Sequence, residues 1–203
     1  MFAVFIEKPN CLATKIGIGF AILLLSACST NMATKQSGFL SDYSRLSPPL
    51  KDGQKSLKTT VSIDPAHTTV TAVEWRVKND SLSPEERAEL LKALKVDLQE
   101  QLLHLPPSPN SRPAEVRAAI TDISTVSPSL NVLSAALIAV PLDRGGAAVE
   151  IEAIDSGTHQ QLAALSQGYY APMSEVKARF SKLASARIAI DKVSADFGPL
   201  IHP

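Results

Sequence analysis

The amino-terminal segment constrains the fold most, because it separates a leader from the part of the chain that can build a domain. Lys8 and Lys15 precede an uncharged, mostly apolar run over residues 16–27, which ends in small residues just before Cys28. These twelve residues would rise about 18 Å as a helix, well short of the roughly 30 Å hydrocarbon core of a bilayer. Charged, apolar and small residues in this order are typical of a cleaved export signal. We therefore predict that residues 1–27 are a signal peptide.

The end of this leader carries a more specific motif. Leu25-Ser26-Ala27-Cys28 resembles the lipobox of bacterial prolipoproteins, in which a diacylglycerol is attached to the cysteine before cleavage. The alternative is an ordinary secretory signal with an incidental cysteine. The resemblance implies that Cys28 holds the mature protein to a membrane, since two or more acyl chains anchor stably where one does not.

The residue after the cysteine indicates to which membrane a lipoprotein is sorted. Ser29 follows Cys28, and in lipoproteins a residue other than aspartate at this position implies export to the outer membrane. We expect the lipid in the inner leaflet of the outer membrane, with the domain in the periplasm. The inner membrane is left open as an alternative.

Charge and cysteine content narrow the possible functions. Lys and Arg total 20, as do Asp and Glu, and aromatic residues are 5%, so nucleic-acid binding is disfavoured. The two cysteines, Cys11 and Cys28, lie at or before the cleavage point, so the mature domain offers no thiol for a disulfide, a nucleophile or a metal. Small polar residues predict a tether over 28–37, and the remaining length suits a single domain over 38–203.

Alternating apolar side chains predict a β-sheet. The predicted strands are residues 57–63, 70–77, 115–124, 147–155 and 161–167. The turn sequence Asp155-Ser156-Gly157-Thr158 joins the last two into a β-hairpin. Glu150 and Glu152 alternate with apolar residues and are therefore expected on the solvent face of their strand.

Apolar residues at spacings of three and four predict two long amphipathic helices. The first begins at Ser83-Pro84, with a capping hydroxyl and proline at the first position, and runs to about residue 103. The last begins at Ser174 and ends before Gly198, with Phe180, Leu183 and Ile190 on its core face. A short turn of helix is expected within 39–46. These elements predict an α+β fold, a two-layer sandwich with a mostly antiparallel sheet of four or five strands.

The segment 127–142 is apolar and contains no charged residue. It is either an additional buried element over the sheet or an apolar surface for a partner or a membrane. In the second case Leu130, Leu133, Leu137 and Ile138 are the candidate interaction residues.

Several short motifs occur in the order found in one family of proteobacterial lipoproteins. They are Ser37-Gly38-Phe39-Leu40 with Asp42-Tyr43-Ser44, Ile63-Asp64-Pro65, Leu82-Ser83-Pro84-Glu85-Glu86, Ile120-Thr121-Asp122 and the hairpin turn. The chain resembles the DUF3313 family over most of its mature length, and departs from it at the proline-rich residues 105–113. That family has no assigned activity, so the resemblance implies a location and no chemistry.

We predict no catalytic residue, no cofactor and no metal site. The histidines lack the spacing of helical metal ligands, and neither a phosphate-binding loop nor a nucleophile elbow occurs. The four histidines are His67, His104, His159 and His202. Asp122 and Asp155 end strands and are expected to cap turns rather than to act as an acid and base pair.

The expected function is a non-enzymatic structural or interaction module of the cell envelope. It would be bound to the membrane through Cys28 and would contact an envelope protein. The alternative is a module that binds an apolar ligand, a lipid or a peptidoglycan fragment between the helices and the sheet. A hydrolase without a recognisable motif is the third possibility.

Overall fold

A computed structural model describes residues 30–50, 53–138 and 143–203, and its centre is one five-stranded sheet. The strands are β1 Lys55–Leu57, β2 Thr69–Trp75, β3 Ala114–Ser124, β4 Gly146–Asp155 and β5 Gln161–Tyr170. Their order across the sheet is β1-β5-β4-β3-β2. β2 and β3 run parallel, and the other neighbours are antiparallel. The prediction of an α+β fold with a mostly antiparallel sheet is confirmed.

Three α-helices accompany the sheet in the described part of the chain. They are α1 Pro84–Leu103, α2 Pro128–Ile138 and α3 Ala184–Phe197. α1 begins where the sequence predicted, because Ser83 and Glu86 cap each other. The Glu86 backbone N–H donates to the Ser83 hydroxyl (3.3 Å), and the Ser83 N–H donates to the Glu86 carboxylate (2.8 Å).

The main core lies between one face of the sheet and the pair α1 and α3. Large aliphatic and aromatic side chains are packed in it, and many of them are at most 1% exposed. Those from the helices are Leu90, Leu94, Leu98, Ile190, Val193 and Phe197. The space in which the sequence placed an alternative apolar ligand is therefore occupied by packed side chains.

The other face of the sheet is covered by the segment 37–46, which we call the strap. Phe39 and Leu40 pack against Ala119 and Ala164 in a second, smaller core. The short helix predicted for 39–46 does not form, although Phe39 and Leu40 are buried and Tyr43 and Leu46 are partly buried. The strap stays irregular because polar groups of the sheet bind its backbone N–H groups, as described below.

The first predicted strand, residues 57–63, is wrong, because Leu57 is its single residue in a strand of the sheet. β1 ends at Leu57 instead of continuing to residue 63. Beyond it the chain leaves the sheet, because the Thr59 N–H donates to the carbonyl of Leu200 (2.9 Å) near the carboxyl terminus. The Thr59 hydroxyl then donates to the Val61 carbonyl (2.8 Å) within a local turn.

The last predicted helix is interrupted. A 3-10 helix over Val176–Phe180 precedes α3, so Phe180 lies outside the core rather than inside it. The Asn131 side-chain amide donates to the carbonyl of Arg179 (2.6 Å), and the Ser185 hydroxyl donates to the carbonyl of Ala178 (3.3 Å). Side chains from other parts of the chain thus bind carbonyls that a continuous helix would have bound internally.

Asp97 is a polar exception on the buried face of α1. One carboxylate oxygen lies 3.7 Å from Arg187, and the other has no hydrogen-bond partner among the described residues. Burial raises the pKa of Asp97 above its ordinary value, with repulsion from Asp191 acting the same way and Arg187 opposing it. The folded protein therefore holds this proton more tightly than the unfolded chain does.

We expect Asp97→Asn to stabilise the protein by roughly 1 kcal/mol at neutral pH, measured by urea unfolding. Because the pKa of Asp97 is raised in the folded state, the protonated carboxyl stabilises the wild-type fold at pH values below its ordinary pKa of about 4. This stabilisation is lost as the pH rises through the folded-state pKa. The advantage of the variant should therefore shrink as the pH falls to about 3.5. The exposed Asp191→Asn should change stability by less than about 0.5 kcal/mol. An advantage that grew on acidification would contradict the assignment.

Candidate functional site: an apolar surface at one end of the sheet

The structure places the two glutamates of β4 inside the protein. Glu150 is 1% exposed and Glu152 is 0% exposed, so their predicted position on a solvent face is wrong. The alternation along β4 is as predicted, but the strap covers the face to which both side chains point.

Glu150 binds the beginning of the strap. Its carboxylate accepts hydrogen bonds from the hydroxyls of Ser37 (2.5 Å) and Tyr43 (2.7 Å). The Tyr43 oxygen in turn accepts from three successive backbone N–H groups, those of residues 38–40 (3.0, 2.9 and 3.2 Å). Burial raises the pKa of Tyr43, and the bond to Glu150 raises it further, so the phenol stays protonated as a donor.

Glu152 binds the middle of the strap and a neighbouring strand. It forms an ion pair with Arg117 (2.6 Å from Nε) and accepts from the Ser41 hydroxyl (2.7 Å) and N–H (2.9 Å). The Gln161 amide donates to it as well (2.6 Å). Both carboxylates are thus engaged in holding the strap, and neither is presented to a substrate.

Asp122 and Asp155 do not meet. Asp155 pairs in register with Ala114 and Asp122 with Ala148, which puts the two carboxylates at opposite ends of the β3 and β4 pair. Asp155 caps the hairpin turn, as expected, by accepting from the N–H groups of residues 157 and 158 (2.9 and 2.8 Å). The bond from Thr158, together with one from Arg112, holds the pKa of Asp155 below its ordinary value.

The described part of the chain has a charged cleft and no cluster of metal ligands. Within residues 30–50, 53–138 and 143–203, no three His, Cys, Asp or Glu residues converge as metal ligands. A cleft of about 460 Å³ opens beside the end of β2, with Lys35, Arg76, Lys78 and Asp122 among its lining residues. This cleft is open and charged, unlike an apolar pocket between helices and sheet.

α2 packs with its polar side inward. Asn131 is fully buried, and its amide donates to the Arg179 carbonyl (2.6 Å) while its oxygen accepts from the Asp143 N–H (2.7 Å). Four apolar side chains of the same helix are exposed, namely Leu130 (50%), Val132 (58%), Leu133 (57%) and Leu137 (74%). Three of the four predicted interaction residues are thus exposed, and the side chain of Ile138 lies outside the described part.

A second group of exposed apolar side chains adjoins α2. The structure describes ten exposed large hydrophobic residues, of which four lie on α2 and three on the segment 173–180 that packs against it. These seven, which we call the apolar surface, are Leu130, Val132, Leu133, Leu137, Met173, Val176 and Phe180. The sequence did not reveal the last three, because Val176 and Phe180 fit the apolar spacing of a core helix.

The apolar surface lies at the end of the sheet where the described chain begins. Ser124, Gly146 and Tyr170 pair in register across β3, β4 and β5 at this end. α2 follows β3, and Met173 follows β5, so both parts of the surface leave the sheet from this row. The N–H of Tyr170 donates to the carbonyl of Thr30 (2.7 Å).

The described part of the predicted tether packs against the sheet. Met32 is buried, and its N–H donates to the carbonyl of Gly168 in β5 (3.1 Å). Gly168 permits this contact, because a Cβ atom there would lie 2.5 Å from the Met32 oxygen. The chain is therefore held to β5 from Thr30 onward.

Comparison with known proteins identifies the family. The sequence model described as "Protein of unknown function (DUF3313)" matches residues 35–197. The chain belongs to this family. No curated protein matches the chain. The predicted family relationship is confirmed, and the family description assigns no activity.

Two solved structures of the PelC dodecamer from Paraburkholderia phytofirmans are similar to this chain at low identity. A point variant shares 14% identity, with 73% of this chain and 98% of that chain covered and a TM-score of 0.41. The second shares 12% identity, with 72% and 97% covered and a TM-score of 0.43.

The predicted signal peptide and the predicted lipid-attachment residue Cys28 lie outside the described residues. Among residues 30–50, 53–138 and 143–203, no helix has both the length and the hydropathy that a membrane span requires.

Proposed function

We propose that this DUF3313 protein is a lipid-anchored lipoprotein of the outer membrane, with its domain in the periplasm. In this proposal it acts as a non-enzymatic module through contacts with other envelope components, including a protein partner. The observation that carries the proposal is the apolar surface, in which four large apolar side chains of α2 and three of the adjoining segment 173–180 are exposed. Contiguous exposed apolar groups are typical of protein or membrane interaction sites.

The engagement of the buried acidic residues supports a role without catalysis. A general acid or base must reach the proton that it transfers. Glu150 and Glu152 bind the strap instead, and Asp155 caps a turn. The ligand-binding alternative has less support, because packed side chains fill the space between the helices and the sheet.

The anchor gives the direct test. We expect Cys28→Ala to abolish incorporation of radiolabelled palmitate in cells and to leave the precursor unprocessed, since Cys28 is the acyl acceptor that the lipobox resemblance implies. Cys11→Ala removes the other cysteine of the leader and serves as the matched control, with labelling and processing unchanged. Equal labelling of the Cys28→Ala variant and the wild type would refute the lipoprotein assignment.

A further inference from the structure

The apolar surface lies at the end of the sheet where the described chain begins, two residues after the proposed anchor. Consecutive Cα atoms are 3.8 Å apart, so the Cα of Cys28 lies within about 8 Å of the Cα of Thr30. Thr30 is held to Tyr170, and Met32 to Gly168, so this starting point is fixed on the sheet. Acyl chains on Cys28 would therefore enter the bilayer close to the carboxyl end of β5.

α2 is connected to the carboxyl end of β5 through residues 143 and 144. The Asn131 side chain accepts from the N–H of Asp143, and the guanidinium of the following Arg144 lies 5.3 Å from the ring centroid of Tyr170. The segment 173–180 begins three residues after Tyr170, a reach of about 11 Å at most. Both parts of the apolar surface thus adjoin the strand that holds Thr30.

The opposite end of the sheet has a different character. There the hairpin between β4 and β5 turns through residues 156–160, which are Ser, Gly, Thr, His and Gln. The Asp155 carboxylate caps that turn and pairs with Arg112 (3.1 Å). Seven of the ten exposed large hydrophobic residues that the structure describes therefore lie at the end of the sheet nearer Thr30, where the charged cleft at the end of β2 also opens. Leu103 is exposed beside the start of β2, at the other end.

We infer that the apolar surface lies on the lipid leaflet that receives the Cys28 acyl chains, so that the domain contacts the membrane at a second point. This inference rests on the proposed lipidation of Cys28. Attachment at Cys28 keeps the surface beside the leaflet, and a modest apolar area is then sufficient for contact, because binding at the second point is effectively intramolecular. α2 contains no charged residue, so placing it in the interface requires no charge to be desolvated.

The test uses the full lipidated chain in vesicles of phosphatidylethanolamine and phosphatidylglycerol. Acylation blocks Cys28, so a cysteine introduced by Leu133→Cys, Leu137→Cys or Gln160→Cys carries a single environment-sensitive fluorophore. Lipids with brominated acyl chains should quench the label at 133 and at 137. They should leave the label at 160, in the hairpin turn, unquenched. A further label at Val176→Cys should lose its quenching when Leu133→Lys and Leu137→Lys are introduced together, while the melting temperature of the exposed double variant stays the same.

The outcomes separate this inference from the proposal on which it rests. Absence of acyl chains on Cys28, measured by mass spectrometry of the same preparation, would overturn the proposed function itself. Acylated protein without quenching at 133 and 137 would overturn only the leaflet contact. Energy transfer between labels at 137 on different copies, in place of quenching, would assign the surface to a second copy of the chain. A fall in the melting temperature of the Leu133→Lys and Leu137→Lys double variant without membranes would show that these side chains are buried in the core, and would overturn the leaflet contact.

Discussion

Glu152→Ala should lower the free energy of unfolding by about 2–3 kcal/mol, because the change removes a buried carboxylate that accepts several hydrogen bonds, while its partner Arg117 is 35% exposed and can be hydrated. The carboxylate is 0% exposed and binds Arg117, Ser41 and Gln161 at once. Its loss leaves these donors without their acceptor beneath the strap. Urea unfolding monitored by circular dichroism measures the effect.

The control for this change is an ion pair of the same kind in solvent. Glu74 pairs with Arg76 at 2.8 Å, with both side chains more than 40% exposed, so Glu74→Ala should cost less than about 0.5 kcal/mol. Trypsin adds a local readout, because Arg45 lies in the strap and donates to the Gln161 carbonyl (2.6 Å). Cleavage after Arg45 should accelerate in Glu152→Ala and not in Glu74→Ala. Equal costs for the two variants would contradict the role assigned to the strap.

Phe197→Ala should cost about 3–5 kcal/mol, because it opens a cavity in the main core where the ring is 1% exposed. Phe180→Ala removes the same atoms from the apolar surface, where the ring is 39% exposed, and should cost roughly 1 kcal/mol or less. Thermal and urea unfolding of the purified domain measure both variants. Comparable losses would indicate one continuous core helix from residue 174 to residue 197, as the sequence pattern had suggested.

Local signals in the sequence were sufficient for much of the fold. The start of α1 followed from Ser83 and Pro84, because a capping hydroxyl and an N-terminal proline act within one turn of helix. The β4 and β5 hairpin followed from the turn at residues 155–158 and from alternation. β3 was found within one residue, despite the proline-rich stretch before it.

The errors share a different origin. The short predicted helix at 39–46 and the long helix from 174 both had apolar residues at helical spacing. In each case distant polar groups bind the backbone instead, since Glu152 accepts from the Ser41 N–H and Asn131 donates to the Arg179 carbonyl. Contacts across 111 and 48 positions decide these conformations, and no local pattern contains them.

The sequence by itself determined the family, the α+β class and most helix and strand positions, since these depend on short motifs and on periodicity. The anchor at Cys28 is a prediction from the same kind of motif. Only the tertiary structure decided which side of each element meets water. Alternation puts Glu150 on the face opposite Val149, but whether that face is wet depends on the strap 107–113 positions away. Likewise α2 is apolar by sequence, and its orientation follows from burial of Asn131, whose amide binds two chain segments that meet only in the folded protein.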